Sequence, residues 1–440
     1  MTRTSVPIAV VGGRGPHGLA LHLWMKDRGL EGAYALIDPA SEWLPTFGPD
    51  GPMPTVERLR SPRELDFALG DPARSMTAWR DADDRAPLAN VYGLDDAERR
   101  AFNERDAGPE VRAKRLDFWR YANATAQRSG GEDHACRGRA SRLEPRGDGW
   151  RIHVQERAPI DARVVVLATG LATHRYLPEP WRAWWRHLPS DAAFHALAFR
   201  PEAERIARRR VAVLGSSNQA AWETAIACAE AGARVTLFCR KPNPVERQLP
   251  FDPRWIRPEG VRTFAARPAK ERLRILRRTP VPRSAVPGCA ERARGLGVRV
   301  LYHARVRYAT PLWGGVQLQV RLPGDREVAE PFDLVVAATG ATARIRDLPF
   351  LEEAARSVRA PVIVGGPARH APVLDDRGRW KNLPPLYPMG SHAFARFGFA
   401  AHTLASASVA LPLTMPSILA DAGVTDRVGA DMARPMRSAA

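Results

Sequence analysis

An α/β fold made of two strand–turn–helix–strand units, the second inserted in the first, is predicted by three features of this 440-residue sequence. Two glycine-marked turns, at Gly13 and Gly215, each follow a short apolar run. Two Ala-Thr-Gly elements, ending at Gly170 and Gly340, each close another apolar run. The length exceeds what one ordinary core serves and suits two or three domains.

The first turn reads Ile8-Ala-Val-Val-Gly-Gly-Arg-Gly-Pro-His-Gly and holds GxGxxG at Gly13, Gly15 and Gly18. The residues after it, Leu19, Leu21, Leu23 and Met25, keep no helical period, so a helix is expected there from the motif rather than from its spacing. A second apolar run ends at Asp38, twenty positions after Gly18. Together these make a Rossmann-like βαβ unit, the kind that binds a dinucleotide. Gly13 is expected to allow the tight turn, Gly15 to let a pyrophosphate approach the backbone, and Gly18 to let the helix lie close to the strand. The helix N-terminus at Pro16 and His17 offers its positive dipole end to phosphates, and Asp38 is placed to accept from a ribose.

The second turn follows Val211-Ala-Val-Leu and carries a degraded fingerprint: Gly215, Ser216, then Ser217 at the second glycine position and Ala220 at the third. Ser217 is a departure, because its Cβ and hydroxyl intrude where the pyrophosphate should approach; the alternative is that the hydroxyl hydrogen-bonds a phosphate. Asn218 and Gln219 stand at the same turn, within reach of phosphates or ribose. The next apolar run ends in Arg240-Lys241, where an acidic residue would otherwise hold a free 2′-hydroxyl. Two cations there suit a 2′-phosphate, which points to NADPH over NADH. A unit that packs without binding a nucleotide remains the alternative.

Further elements lie between and beyond the turns. Trp43 is followed by Met53-Pro-Thr-Val-Glu-Arg-Leu-Arg-Ser-Pro, Asp71-Pro-Ala-Arg-Ser and Arg115-Leu-Asp-Phe-Trp-Arg-Tyr. Near the end stand Leu386-Tyr-Pro-Met-Gly and Phe397-Gly-Phe-Ala-Ala-His-Thr-Leu-Ala-Ser. With these and the paired Ala-Thr-Gly elements, most of the chain resembles the class B flavoprotein monooxygenases. Within them it is most similar to the N-hydroxylating branch, the ornithine and lysine N-monooxygenases.

That resemblance implies FAD in the first unit and NADPH in the second. It implies an FAD domain over residues 1–204, an NADPH domain over 205–332 and a return of the chain to the FAD domain over 333–440, with a poorly ordered tail from about 426. Thr169, Gly170, Thr339 and Gly340 would mark the crossings between the domains. Met389, Gly390, Phe397 and Gly398 would return to the flavin, with Trp43, Met53 and Thr55 near its ring. The implied activity is reduction of FAD by NADPH, capture of O2, and transfer of one oxygen atom to a nucleophilic heteroatom of a small metabolite, most simply an amine nitrogen. No protein nucleophile is required, and no general base is assigned. Relatives in this family are often homo-oligomers.

Three departures separate the sequence from the family pattern. The Asn-Glu-x-Phe element is reduced to Leu249-Pro-Phe-Asp-Pro-Arg-Trp, the Asn-Tyr pair that helps hold an amino-acid substrate has no counterpart, and Phe397 replaces a histidine. The Baeyer–Villiger signature is also absent. Two other readings therefore stay open: a flavin reductase or dehydrogenase without oxygen insertion, and an FAD-binding protein that has lost NADPH.

Composition narrows the classes. The net charge of +18 is nearly all arginine, with only five lysines, and is spread along the chain. The locally basic stretches at 205–210 and 272–278 read as solvated helix faces, so nucleic acid is not expected as a partner. Four scattered cysteines, Cys136, Cys228, Cys239 and Cys289, show neither metal-ligand nor redox-pair spacing, and no metal is expected. Without an apolar run of membrane-spanning length, and with a short polar start before Ile8, the chain is expected to be cytoplasmic and free of the membrane. The proline- and arginine-rich stretch 242–287 is expected as a loose cover or as irregular packing.

Overall fold

The computed structural model describes residues 5–62, 65–79, 112–170, 175–215, 218–241, 245–249, 251–279, 284–342, 344–345, 348–357, 359–363 and 370–426. The tail expected beyond 426 lies outside them. The first apolar run forms the strand Ser5–Val11, flanked in parallel by Tyr34–Asp38 on one side and Ile160–Leu167 on the other. Ala135–Arg137 extends this sheet beyond Tyr34–Asp38. The outer edge of Ile160–Leu167 is divided between two partners. Gly149–Val154 pairs antiparallel with its first half, through Trp150 to Ala162 and Ile152 to Ile160. Leu386–Pro388, arriving from far along the chain, pairs in parallel with Val165, Val166 and Leu167.

Helix Pro16–Lys26 follows the first turn, and every residue from Gly18 to Met25 is buried. The sheet covers one side and the C-terminal helix Leu411–Ala422 the other. A helix enclosed all round needs no polar face, which is why its sequence shows no amphipathic period.

A second sheet has five parallel strands in the order Arg299–Leu301, Arg234–Phe238, Arg210–Leu214, Leu334–Ala337 and Ala193–His195. Two of its strands, Ala193–His195 and Leu334–Ala337, come from outside residues 205–332. A three-stranded antiparallel sheet, Arg305–Leu312, Gly315–Arg321 and Glu327–Phe332, lies over one face. Val316, Leu318 and Val320 share a core there with Ala212, Leu214 and Trp184. The second sheet is thus wholly parallel, and the first is parallel through its centre with an antiparallel edge at Gly149–Val154, as near-continuous apolar strands predict for the parallel parts.

The proline- and arginine-rich stretch is not a loose cover. It holds two helices, Pro258–Ala266 and Ala269–Arg278, packed on the C-terminal segment. Phe251 stacks on Phe399 at 5.4 Å, and Trp255 meets both Phe399 and Phe264 at 5.2 Å. Arg272 corrects the expectation of a solvated basic face. It is 3% exposed and donates to the carbonyls of Ala395 at 3.1 Å and Ala265 at 3.2 Å. Among the described residues no helix is long and apolar enough to cross a membrane.

One buried polar group in the first unit carries a pH signature. His22 is fully buried, with Nδ1 2.6 Å from the Tyr34 hydroxyl and Nε2 2.8 Å from that of Ser129. Burial, then the charges of His134 and Lys26, pulls its pKa down to about 4. The unfolded chain takes up this proton near the ordinary value of 6.5, whereas the folded chain resists it until about 4. The stabilisation is therefore complete above 6.5 and is lost as pH falls towards about 4, by roughly 3 kcal/mol. His22→Gln should flatten the fall in melting temperature over that window, and an unaltered slope would show that the acid sensitivity arises elsewhere.

Candidate functional site

The first crevice opens where Ser5–Val11 and Ile160–Leu167 end side by side. The left-handed turn residue is Gly12, with φ +84°, rather than Gly13. A Cβ on Gly12 would lie 2.7 Å from the carbonyl of Ala168. Gly13 is required for another reason: its Cβ would stand 2.6 Å from the Leu36 Cβ on the neighbouring strand. Gly18 is tighter still, with 1.8 Å between its Cβ position and the Gly13 oxygen. Gly15 differs from these three, because its Cβ would meet nothing closer than 3.4 Å. Its own protein surroundings therefore do not demand glycine at position 15, which sits at a helix N-terminus that no side chain caps. The adjoining Thr169 hydroxyl is buried and has no hydrogen-bond partner among the described residues.

The C-terminal return reaches the same place. Met389 donates its N–H to the Leu167 carbonyl at 2.9 Å. Gly390, with φ +60°, lies against the His17 ring, 3.1 Å from its Cβ position to Cε1. His17 Nε2 is 2.9 Å from the Ser406 hydroxyl, at the start of the terminal helical run. Asp38 serves the loop itself. Its carboxylate accepts the N–H of Arg14 at 3.1 Å and of Ala40 at 2.9 Å, and burial holds its pKa above the usual range.

A second crevice, a cleft of about 860 Å³, opens at the C-terminal ends of Arg210–Leu214, Arg234–Phe238 and Leu334–Ala337. This is the switch point of the second sheet, where open parallel sheets take their ligands. Gly215, Arg240, Lys241 and Thr339 line it together, as the sequence spacing implies. Arg305 and Arg307, from the first strand of the antiparallel sheet, add two cations, and Trp181 adds an indole. Their signal in the sequence was the alternation Arg305-Val-Arg307 inside a strand, which puts basic residues two apart. The crossing segments are stitched beside this cleft. Thr339 donates its hydroxyl proton to the Tyr176 carbonyl, and Tyr176 N–H donates to the Gly340 carbonyl at 2.9 Å.

No sequence-family profile matches the chain, and no curated protein matches it by sequence. Solved structures do match, over nearly the full length. The ornithine hydroxylase of Pseudomonas aeruginosa superposes with a TM-score of 0.71 at 18% identity, covering 95% of this chain and 99% of that one. The cadaverine monooxygenase of desferrioxamine biosynthesis from Erwinia amylovora, solved with FAD, gives 0.70 at 16% identity over 97% of each chain. An ornithine N-hydroxylase from a Kutzneria species, solved with reduced FAD, NADP+ and ornithine, gives 0.68 at 16% identity, covering 95% and 99%. The chain has the fold of the N-hydroxylating flavin monooxygenases.

Within that flavin-monooxygenase fold, the remaining sequence-predicted residues fall in distinct places. Trp43 is buried, donates its indole N–H to Glu132 at 2.8 Å, and packs under the Arg14 guanidinium. Arg14, a residue the sequence reading passed over, holds Glu132 through two bonds of 2.8 and 2.6 Å and so ties the phosphate turn to residue 132. Met53 is half-buried, and the Thr55 hydroxyl lies 3.4 Å from that of Thr224, across the junction of the two units. Asn218 caps its helix, accepting from Ala221 N–H at 2.8 Å and donating to the Ala338 carbonyl at 3.1 Å. Gln219 donates to Glu223 at 2.7 Å, and Ala220 is half-buried in the first helical turn. Ser216 and Ser217 lie outside the described residues. Gly170 takes φ +64° at the first crossing. Phe397 is buried, and Gly398, at φ +58°, packs on Phe264 rather than on the first turn.

Proposed function

We propose that the chain is an FAD-dependent, NADPH-using monooxygenase that oxygenates a nucleophilic heteroatom, an amine nitrogen, of a small metabolite. The observation that supports this reading most is the pairing of two nucleotide crevices in one chain, the second lined by four cations, on a fold shared with amine hydroxylases. FAD fits the first crevice on the chain's own terms. Gly15 keeps a side chain off the turn, the helix at Pro16 and His17 is uncapped, and the buried Thr169 hydroxyl lacks a partner among the described residues. NADPH fits the second, where Arg240, Lys241, Arg305 and Arg307 would take its 2′-phosphate.

When bound, FAD would supply two-electron chemistry with NADPH and O2 that no side chain provides. The chain's part is to bind, orient and exclude. Met389 and Gly390 bring the C-terminal segment onto the first turn, and His17 with Ser406 fastens it there. Burial pushes the Cys228 and Cys289 thiols up to about 12, so neither is a ready thiolate at neutral pH.

The test is anaerobic mixing of the FAD-loaded protein with NADPH, then admission of oxygen with a panel of primary amines. Loss of the flavin's visible absorption, followed by an amine product heavier by one oxygen atom, is the expected result. No loss of absorption would remove NADPH from the reading. Reduction with every electron pair recovered as hydrogen peroxide, for all amines, would leave a reductase instead.

A further inference from the structure

The two units also meet along a smaller cavity of about 280 Å³, room for about nine waters at roughly 30 Å³ each. One wall is a single stripe of helix Gln219–Glu230, formed by Glu223, Ile226, Ala227 and Glu230 at helical spacing. Val286 and Pro287 face it from the turn before helix Cys289–Gly295. Three arginines, Arg58, Arg112 and Arg292, and three carboxylates, Glu57, Glu223 and Glu230, line it. Arg292 stands 2.6 Å from Glu230 and 3.5 Å from Glu57, and Arg58 lies 4.0 Å from Glu57. Glu223 is different. Its Oε1 accepts from Gln219, but its Oε2 is buried and has no hydrogen-bond partner among the described residues.

We propose that this cavity is a binding site for a small alkylammonium ion, its methylenes against Ile226, Ala227, Val286 and Pro287 and its ammonium on Glu223. A buried carboxyl with an unused oxygen is costly, and a ligand bringing three N–H donors and a positive charge removes that cost. The electrostatics agree. Burial pushes the Glu223 carboxyl up to about 8, although Arg112 and Arg60 pull it down, while Glu57 adds to the rise. Arg60 is engaged elsewhere, by the carbonyls of Arg247, Gln248 and Ser284. At pH 7 such a group is largely protonated, so ammonium binding ionises it and releases a proton.

The experiment titrates the FAD-loaded protein with n-pentylamine by isothermal calorimetry at pH 7, in phosphate and in HEPES, neither of which is a primary amine. One site, a buffer-dependent heat equivalent to nearly one proton, and no binding of n-pentanol are expected. Glu223→Gln should weaken binding by at least about tenfold and abolish the proton release. Ala227→Leu keeps every charge but fills the space, and should lose the amine as well. Failure of the unsubstituted protein to bind, or full affinity in either variant, overturns the proposal. Binding is read without turnover, so a failure here leaves the oxygenation reading untouched.

Discussion

Gly18→Ala is expected to strip the protein of flavin and to destabilise it by about 3 kcal/mol. The methyl group would sit 1.8 Å from the Gly13 oxygen and 2.4 Å from its carbonyl carbon, both backbone atoms that cannot rotate away. Relief requires helix Pro16–Lys26 to lift from the sheet, and that helix is buried from Gly18 to Met25. Gly15→Ala separates packing from ligand binding. Its methyl group meets only ordinary contacts at 3.4 and 3.6 Å, so the apoprotein should melt as before while its FAD affinity falls. Thermal denaturation with and without added FAD distinguishes the two. Equal melting temperatures for Gly18→Ala and the parent would sink the packing argument. Unchanged FAD affinity in Gly15→Ala would sink the phosphate assignment.

Arg240→Asp carries the second large effect. A carboxylate in place of a guanidinium at the cleft rim faces a 2′-phosphate with like charge, and should weaken NADPH by roughly 100-fold. NADH, which lacks that phosphate, should be nearly unaffected. Because Arg240 and Lys241 are both exposed, salt will reduce the difference, and the comparison belongs at low ionic strength. Binding of 2′,5′-ADP to the FAD-loaded protein gives a readout that does not depend on turnover. Equal losses for NADPH and NADH would place Arg240 elsewhere than at the 2′-phosphate. Retained affinity in Arg240→Asp, with a loss in Arg305→Asp, would shift the assignment to the opposite wall.

The parts of the site that were legible in the sequence are those where backbone sterics demand glycine within a few residues. Gly13, Gly15 and Gly18 announce a turn, a gap and a close helix because each constraint is local. Even so, the residue at positive φ was Gly12, one place earlier, since the pattern does not say which of two adjacent glycines turns. The Arg240-Lys241 pair was legible for the same reason, standing directly after a strand.

What escaped depends on chain segments distant in sequence. Arg14 stands inside the motif, yet its partner Glu132 is 118 positions away. Arg305 and Arg307 reach the second cleft only because an antiparallel sheet folds over the parallel one. The helices Pro258–Ala266 and Ala269–Arg278 were hidden by proline and arginine content. Their apolar positions find partners in Phe399 and its neighbours, which no local window contains.

The shared edge of strand Ile160–Leu167 sets an order of assembly during synthesis. The second sheet draws all its strands from residues 193–337, so it can close while the ribosome is still extending the chain. The first sheet cannot. Residues 165–167 keep an unpaired outer edge until Leu386–Pro388 has been made, and helix Pro16–Lys26 lies bare on one side until Leu411–Ala422 follows. An open strand edge and an apolar helix are the features most prone to wrong pairing in a nascent chain. The unit that begins first is therefore sealed after the second, and the turn at its heart is enclosed only once residues 386–422 have been made.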